Sequence, residues 1–252
     1  MNWENYVFRF FLIWYACGVI LLSLNILPPW LEWANAVFLI LSGTLGAIYW
    51  CKSYGVLQGG IVSAIIFLAS MIAEYTGTTY GWIFGKYFYQ SDFGPQILGI
   101  PITIGFAWLI VISTSHALIK RMMQNRSSII YIFLGGVIAV GMDLIIDPVA
   151  FVAKQYWIWE KTGPYYNIPI QNFLGWFFVA AFLHLFIYFY LQKYWHQEDS
   201  AWHTKMIVLY ILVIFMFILL AFIAKLYLAV CITSLYNLPI LIYYFRQRRV
   251  NR

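Results

Sequence analysis

The sequence has 252 residues, of which 63% are hydrophobic and 10% are charged. Soluble domains are about half apolar and about one quarter charged, so this composition excludes an ordinary soluble protein and predicts an integral membrane protein. The net charge of +6 comes from basic residues at the ends of apolar runs, which favours orientation in the lipid bilayer over nucleic-acid binding. Three cysteines without CxxC spacing indicate neither a disulfide framework nor a zinc site.

Eight apolar runs predict an all-α, polytopic integral membrane helical bundle. Each run is close to the length of about 20 residues with which a helix crosses the hydrocarbon core. Residues 204–245 would form a single helix about 63 Å long, so this stretch must fold back, and Lys225 is the predicted turn. Since no linker or internal repeat is present, we predict one transmembrane domain over residues 1–252. The other predicted spans are 6–27, 31–51, 56–74, 101–119, 129–147 and 170–192.

Two connections between these spans are long and rich in aromatic residues. Residues 75–100 are interrupted repeatedly by glycine, which predicts irregular backbone rather than another span. Residues 148–169 begin with Pro148, which is expected to end the fifth span, and then carry several tryptophans and tyrosines. Irregular backbone at membrane depth needs protein or water around it.

The basic residues orient the predicted spans. Placing both termini in the cytoplasm puts eleven of the fifteen lysines and arginines on that side, in agreement with the positive-inside rule. We therefore predict a multi-pass protein of the cell membrane with both termini cytoplasmic. In this orientation Glu74, Asp143, Asp147 and Asn172 all lie at the outer ends of their spans, at one depth in the bilayer.

Asp143 and Asp147 are the predicted catalytic pair. They are four residues apart and therefore share one face of a helix. An acid within a membrane span is costly, so it indicates a functional site. In a dry site two neighbouring carboxylates are not both ionised, and one would serve as general acid and the other as general base. Glu74 is the third predicted catalytic residue, with a positioning role. The alternatives are that the aspartates lie in interfacial water or pair with Lys154.

An acid beside a base suits chemistry on an unactivated carbon–carbon double bond. Protonation of one carbon leaves a tertiary carbocation on the other, and aromatic faces stabilise such a cation. Capture by water would be hydration, and attack by a neighbouring double bond would be cyclisation. For each aromatic residue the alternative is a place in the interfacial belt. The predicted substrate-binding residues are Tyr87, Trp157, Trp159, Tyr165, Tyr166, Asn172 and Trp176.

The histidines give little indication of a metal centre. No HxxxH or ExxH spacing occurs, so we predict no di-iron site and expect neither a metal nor another cofactor. One alternative stays open, a mononuclear site formed by Glu74, one aspartate and His184. Otherwise His116 and His184 are expected to form polar contacts between helices.

Two segments resemble a known family. Residues 74–104 read EYTGTTYGWIFGKYFYQSDFGPQILGIPITI, and residues 142–177 read MDLIIDPVAFVAKQYWIWEKTGPYYNIPIQNFLGWF. Together the DPVA, WxW, GxYYxIP and NFxGW elements resemble the membrane-type carotenoid 1,2-hydratases of bacteria and archaea. The resemblance implies an enzyme of carotenoid biosynthesis. It would add water across the terminal C1–C2 double bond of an acyclic end group and form a tertiary alcohol without a redox cofactor.

The resemblance also implies the partners, which are a long isoprenoid such as a carotenoid with a lycopene-like end, the lipid bilayer, and other membrane enzymes of the carotenoid pathway. Two other functions stay open. A proton-initiated carotenoid cyclase would use the same acid but exclude water. A non-enzymatic protein that binds or transports isoprenoid lipids would use the acids for proton coupling.

Overall fold

The computed structural model describes residues 3–24, 26–90, 94–122, 127–194 and 199–250. Eight helices in this part of the chain are long and apolar enough to span a membrane, which confirms the predicted all-α polytopic bundle. The helices are α1 (Trp3–Ser23), α2 (Trp33–Tyr54), α3 (Val56–Tyr80), α4 (Ile102–Met122), α5 (Ser128–Pro148), α6 (Ile170–Leu191), α7 (Ser200–Ile223) and α8 (Tyr227–Val250).

The turn in the last apolar stretch lies where it was predicted. α7 ends at Ile223 and α8 begins at Tyr227, with Lys225 between them at a φ of 61°. α1 ends earlier than predicted, at Ser23, and a short 3-10 turn at Pro29–Leu31 leads into α2.

α3 is longer than predicted, because the helix does not end at Glu74 but continues to Tyr80. Gly81 then adopts the left-handed conformation, with a φ of 70°, and its N–H donates to the Gly77 carbonyl at 2.9 Å. This is the C-cap that glycine favours. Gly77 stays helical, and its bare face lies against the Tyr87 ring. Glu74 is therefore inside the helix, more than one turn before its end.

α4 is the central helix of the bundle. Every residue from Trp108 to Ile119 is buried, and α4 contacts α2, α3, α5, α6, α7 and α8. α2 comes close to α4 because Gly43 has no side chain, and a Cβ there would lie 2.6 Å from the Phe106 carbonyl oxygen. α5 and α6 also pack along each other, which brings the aspartates of α5 beside Asn172 of α6.

The two aromatic connections are joined by a small antiparallel sheet, although sequence predicted irregular backbone. Strand β1 (Tyr87–Tyr89) pairs with β4 (Trp157–Trp159), so that Tyr87 lies opposite Trp159 and Tyr89 lies opposite Trp157. Alternate residues of a strand share a face, so all four side chains lie on one side of this sheet. A second small sheet, β2 (Gln96–Ile97) with β3 (Ile100–Pro101), leads into α4.

α5 ends at Pro148 as predicted, but the chain does not become irregular there. One π-helical turn, Val149–Ala153, follows directly, and the Lys154 N–H donates to the Val149 carbonyl at 3.0 Å. Gln155, with a φ of 53°, then redirects the chain towards β4.

The two ends of the bundle differ in what they hold. The starts of α1 and α7 and the end of α2 meet at one end. There Lys52 forms an ion pair with Glu4 at 2.7 Å, and Lys205 donates to Asn5 at 2.5 Å. We name it the terminus end, because α1 begins and α8, the last helix, ends at this end of the bundle. The opposite end, where α3 and α5 end and α4 and α6 begin, is the site end.

Candidate active site

The predicted acid pair lies at the site end of α5. Asp143 and Asp147 project from one face of the helix, and each is 1% exposed. A single amide nitrogen, Asn172 Nδ2, donates to Asp143 Oδ2 and to Asp147 Oδ2, both at 2.8 Å. Trp157 Nε1 donates to the other oxygen of Asp147 at 2.8 Å. The packing of α6 on α5 and the pairing of β4 therefore bring these four residues together.

Lys154 has a different partner from the one considered in the sequence. Its Nζ lies 3.9 Å from Glu32 Oε1, whereas the aspartates are buried against Asn172 and Trp157. An ion pair between Lys154 and the aspartates is therefore not supported.

Glu74 is held by three hydrogen-bond donors. Its Oε2 accepts from the hydroxyls of Tyr87 and Tyr89, the latter at 2.7 Å, and its Oε1 accepts from Trp108 Nε1 at 3.1 Å. Burial, and then the Glu74 carboxylate, raise the pKa of both tyrosines well above the usual value, so both phenols keep their protons and donate. The three donors fix the orientation of the carboxylate and satisfy it in a buried site.

A cavity of about 490 Å³ lies beside these carboxylates. Small-molecule sites are commonly about 300–1,000 Å³. Its polar end is formed by Glu74, Asp143, Asp147 and Asn172, and the remainder is mostly apolar. This shape suits a long apolar molecule whose terminal atoms reach the acids. Apolar side chains that line the cavity include Phe38, Ile104, Val111, Val213 and Met216.

The structure brings five of the seven predicted substrate-binding residues to the cavity. The Tyr87 ring lies 4.7 Å from the Trp159 ring, and the Trp176 ring stacks on Trp108 at 4.5 Å and 24°. The aromatic faces thus surround the space in front of the acids. The five residues are Tyr87, Trp157, Trp159, Asn172 and Trp176.

Tyr165 and Tyr166 lie away from the cavity lining. The Tyr165 hydroxyl donates to the Leu144 carbonyl at 2.7 Å, and the Tyr166 hydroxyl accepts from the Ala229 N–H at 3.3 Å. These contacts fasten the α5–α6 connection to α5 and α8. The structure thus gives both tyrosines a role in the fold and does not bring them to the site.

Trp159 lines the cavity and carries a buried indole donor. The residue is 8% exposed, and its Nε1 is near the Asp147 carboxylate without forming a hydrogen bond of normal geometry. A buried N–H group normally has a partner, so this indole is suited to the oxygen of a bound water or of an alcohol.

His116 and His184, both fully buried, lie away from the acids. His116 is hydrogen-bonded to Tyr54 at 2.9 Å and to Tyr131 at 2.6 Å, which confirms the predicted contact between helices. His184 follows Asn172 by twelve residues on α6, so it is about 18 Å further along the axis and cannot complete a mononuclear metal site with the carboxylates. Within the described ranges, no group of three His, Cys, Asp or Glu residues could hold a metal ion.

Comparison with known proteins identifies the family. Residues 34–239 match the family described as Carotenoid biosynthesis protein. The chain belongs to this family. A bisanhydrobacterioruberin hydratase from Haloarcula japonica is 30% identical over 122 residues, which are 47% of this chain and 41% of that relative. The match thus spans less than half of the relative's length. No solved structure matches.

Every carboxylate and aromatic residue of the site described above lies within the range that matches the carotenoid biosynthesis family, whereas α1 lies outside it. This family membership supports a role in carotenoid biosynthesis. Two site residues of this carotenoid biosynthesis protein were not predicted from sequence. Tyr89 could have been found, since in a strand it shares a face with Tyr87. Trp108 lies within an apolar span, where no local pattern separates it from other core residues.

Proposed function

We propose that this carotenoid biosynthesis protein is a hydratase that adds water across the terminal C1–C2 double bond of an acyclic carotenoid end group. The observation that carries the proposal is the shared amide, because Asn172 holds Asp143 and Asp147 side by side at the polar end of an apolar cavity. Hydration of a double bond needs one group that gives a proton and one that accepts a proton. The similarity to a protein named as a hydratase supports the same reaction class.

In the proposed reaction, protonated Asp143 gives its proton to C2. The electron pair of the double bond forms the new C–H bond and leaves a tertiary cation at C1. A water oxygen then attacks C1 while Asp147 accepts one proton from that water, so the pair again holds one proton. Asp147 is assigned as the base because it accepts hydrogen bonds from both Trp157 and Asn172, and such bonds stabilise a carboxylate.

The aromatic side chains have two roles in this proposal. The faces of Trp157, Trp159 and Trp176, which line the cavity, stabilise the cation at C1. The indole N–H of Trp159, which forms no hydrogen bond of normal geometry in the structure, binds the oxygen of the attacking water and keeps it beside Asp147. A water held by these two groups is in place before the cation forms, so hydration competes well with loss of a proton.

Glu74 supplies a fixed negative charge rather than a proton. Its oxygens accept hydrogen bonds from Tyr87, Tyr89 and Trp108, and it lines the same cavity as both aspartates. A carboxylate that is already oriented stabilises a developing positive charge without reorganisation. Glu74 is therefore proposed to stabilise the carbocation.

The proposal is tested by expressing the chain in a bacterium that accumulates lycopene and by analysing the extracted pigments with mass spectrometry. We expect a product heavier by one water molecule, or by two if both ends react. A product of unchanged mass with altered retention would overturn hydration in favour of cyclisation. Unchanged pigment, with the protein present in the membrane, would favour an isoprenoid-binding protein.

We also propose that the protein lies in the cell membrane with both termini cytoplasmic. The distribution of lysine and arginine supports this orientation. A green fluorescent protein fused to the C-terminus should fluoresce, and alkaline phosphatase fused there should be inactive. The opposite pair of results would reverse the orientation and place the acids at the cytoplasmic face.

A further inference from the structure

One stripe of α1 borders the cavity. Its residues are spaced by three and four, so they form a single face of the helix. Of these, Ile13 is 64% and Phe10 is 49% exposed, so the same face also reaches the outside of the bundle. The cavity is therefore open towards lipid along α1. The residues of this stripe are Phe10, Ile13, Trp14, Cys17, Gly18 and Leu21.

α1 is anchored by the side chains of Phe11 and Tyr15, and Tyr15 also lines the cavity. The Phe11 ring packs 6.0 Å from the Phe38 ring of α2, and the Tyr15 hydroxyl donates to the Leu212 carbonyl of α7 at 2.9 Å. Phe11 and Tyr15 are buried, unlike the neighbouring residues on the cavity stripe. The helix is thus held in place by Phe11 and Tyr15, while its exposed residues Phe10 and Ile13 border the opening.

The cavity occupies only the half of the bundle at the site end. On α1 its lining runs from Phe10 to Leu22, which is about 18 Å along the helix axis. Towards the terminus end the interior is filled by fully buried side chains such as Leu45, Trp50 and Ile112. An extended carotenoid is about as long as the bilayer core is thick, roughly 30 Å. Such a molecule cannot fit inside the cavity as a whole.

We propose that the opening along α1 is a lateral portal through which the unreacted part of a long isoprenoid chain extends into the lipid while its reacting end lies at the acids. The inference rests on the proposed function for the identity of the chain. The portal recognises a long apolar chain by the shape of that chain. It offers no hydrogen bonds to the middle or to the far end of the chain. Each binding event therefore presents one end to Asp143 and Asp147.

Gly18 gives a direct test, because a Cβ built there meets no atom within 4 Å. A G18W substitution introduces a bulky side chain at the portal from a backbone position that has room for its Cβ. Gly60 on α3 is a matched control, since a Cβ there also meets nothing and the residue does not line the cavity. We expect G18W to lower lycopene conversion at least tenfold and G60W to change it less than twofold. Equal conversion by both variants would overturn the portal.

Cys17 gives a second test that does not depend on hydration. Cys17 lines the cavity and is exposed, whereas Cys231 on α8 is exposed and does not line it. Two variants, each keeping one of these cysteines as the only one in the chain, are labelled with a maleimide in detergent micelles, with and without bound lycopene. We expect lycopene to slow labelling of Cys17 at least fivefold and to leave Cys231 unchanged.

The two tests separate this inference from the proposed function. Protection of Cys17 in a protein that forms no hydrated product would support the portal and overturn the hydratase. Hydration by the wild-type protein together with unprotected Cys17 and full conversion by G18W would keep the hydratase and overturn the portal.

Discussion

The two halves of this bundle both contain buried polar side chains, yet they use them differently. In the half towards the terminus end, His116 lies between Tyr54 and Tyr131, and Lys120 donates to the Tyr54 hydroxyl at 2.9 Å. None of these four residues lines the cavity. In the half towards the site end, the carboxylates lie beside about 490 Å³ of space.

Buried polarity alone therefore does not mark a site in a membrane bundle. His116 has both ring nitrogens occupied by partners on other helices, so this polar cluster joins helices. Asp143 and Asp147 are also hydrogen-bonded, but they line a cavity that is lined as well by Trp159, whose indole N–H forms no hydrogen bond of normal geometry. Polar groups that remain available next to empty space are what distinguish the candidate active site.

The largest effect is expected at the acid pair. D143N and D147N should each lower hydration at least 100-fold, since general acid and base catalysis commonly contribute about 10²–10⁴-fold. The measurement is the amount of hydrated pigment per amount of protein in the membrane. D199N is the matched control, because Asp199 caps α7 at the terminus end and asparagine is an equally good cap. Retained activity in both site variants would contradict the assignment.

A somewhat smaller loss is expected at Asn172. N172L removes the amide that donates to both aspartates and should lower hydration about 10- to 100-fold, because two buried acceptors lose a partner. N237L is the control, since Asn237 on α8 accepts from Tyr210 and donates to the Thr233 carbonyl. It should lower the thermal stability without lowering conversion by folded protein. An equal loss of conversion in both variants would indicate a structural role for Asn172.

Trp159 should change the product rather than only the rate. W159F keeps an aromatic ring but removes the indole N–H, so water is no longer held beside Asp147. We expect about a tenfold loss of hydrated product and the appearance of double-bond isomers, formed when the cation loses a proton. The ratio of the two products is measured by chromatography and mass spectrometry. W82F, at an exposed position outside the cavity lining, should leave the ratio unchanged, and an unchanged ratio in W159F would exclude the proposed water site.

The smallest effect on conversion is expected in the other half of the bundle. Y131F removes the hydroxyl that is bonded to His116 and should lower the free energy of unfolding by about 1 kcal/mol. Conversion of lycopene by the folded protein should stay within a factor of two. Thermal unfolding in detergent micelles and pigment analysis measure the two quantities separately. A large loss of conversion without a loss of stability would show that the half towards the terminus end takes part in the reaction. The proposed difference between the two halves of the bundle would then be wrong.

The parts of the site that sequence predicted correctly are those set by helix periodicity and membrane topology. Asp143 and Asp147 share a face because they are four residues apart, and Asn172 meets them because the next helix begins at the same end of the bundle. The eight helices follow from the length of the apolar runs. These features depend on local pattern and chain direction alone.

The parts that sequence did not predict depend on pairing between distant segments. β1 and β4 are separated by almost 70 residues, and their pairing places Trp159 beside Tyr87. Sequence places the end of α3 too early, because a glycine such as Gly77 indicates a break in a helix, whereas in the structure Gly77 gives room to the Tyr87 ring. Tyr165 carries the same aromatic signal as Trp157, but its hydroxyl is bonded to the Leu144 carbonyl.

The π-helical turn at Val149–Ala153 makes the number of residues between the DPVA and WxW elements a part of the site. A π turn contains one residue more than an α turn, and such turns are often found at functional sites. If one residue between the two elements were deleted while the π turn was kept, β4 would slip by one residue against β1, and its side chains would move to the opposite face of the sheet. Trp157 would then no longer reach Asp147, although every residue of both elements would remain. A chain that keeps both elements and the π turn but has one residue fewer between them would therefore not contain this site.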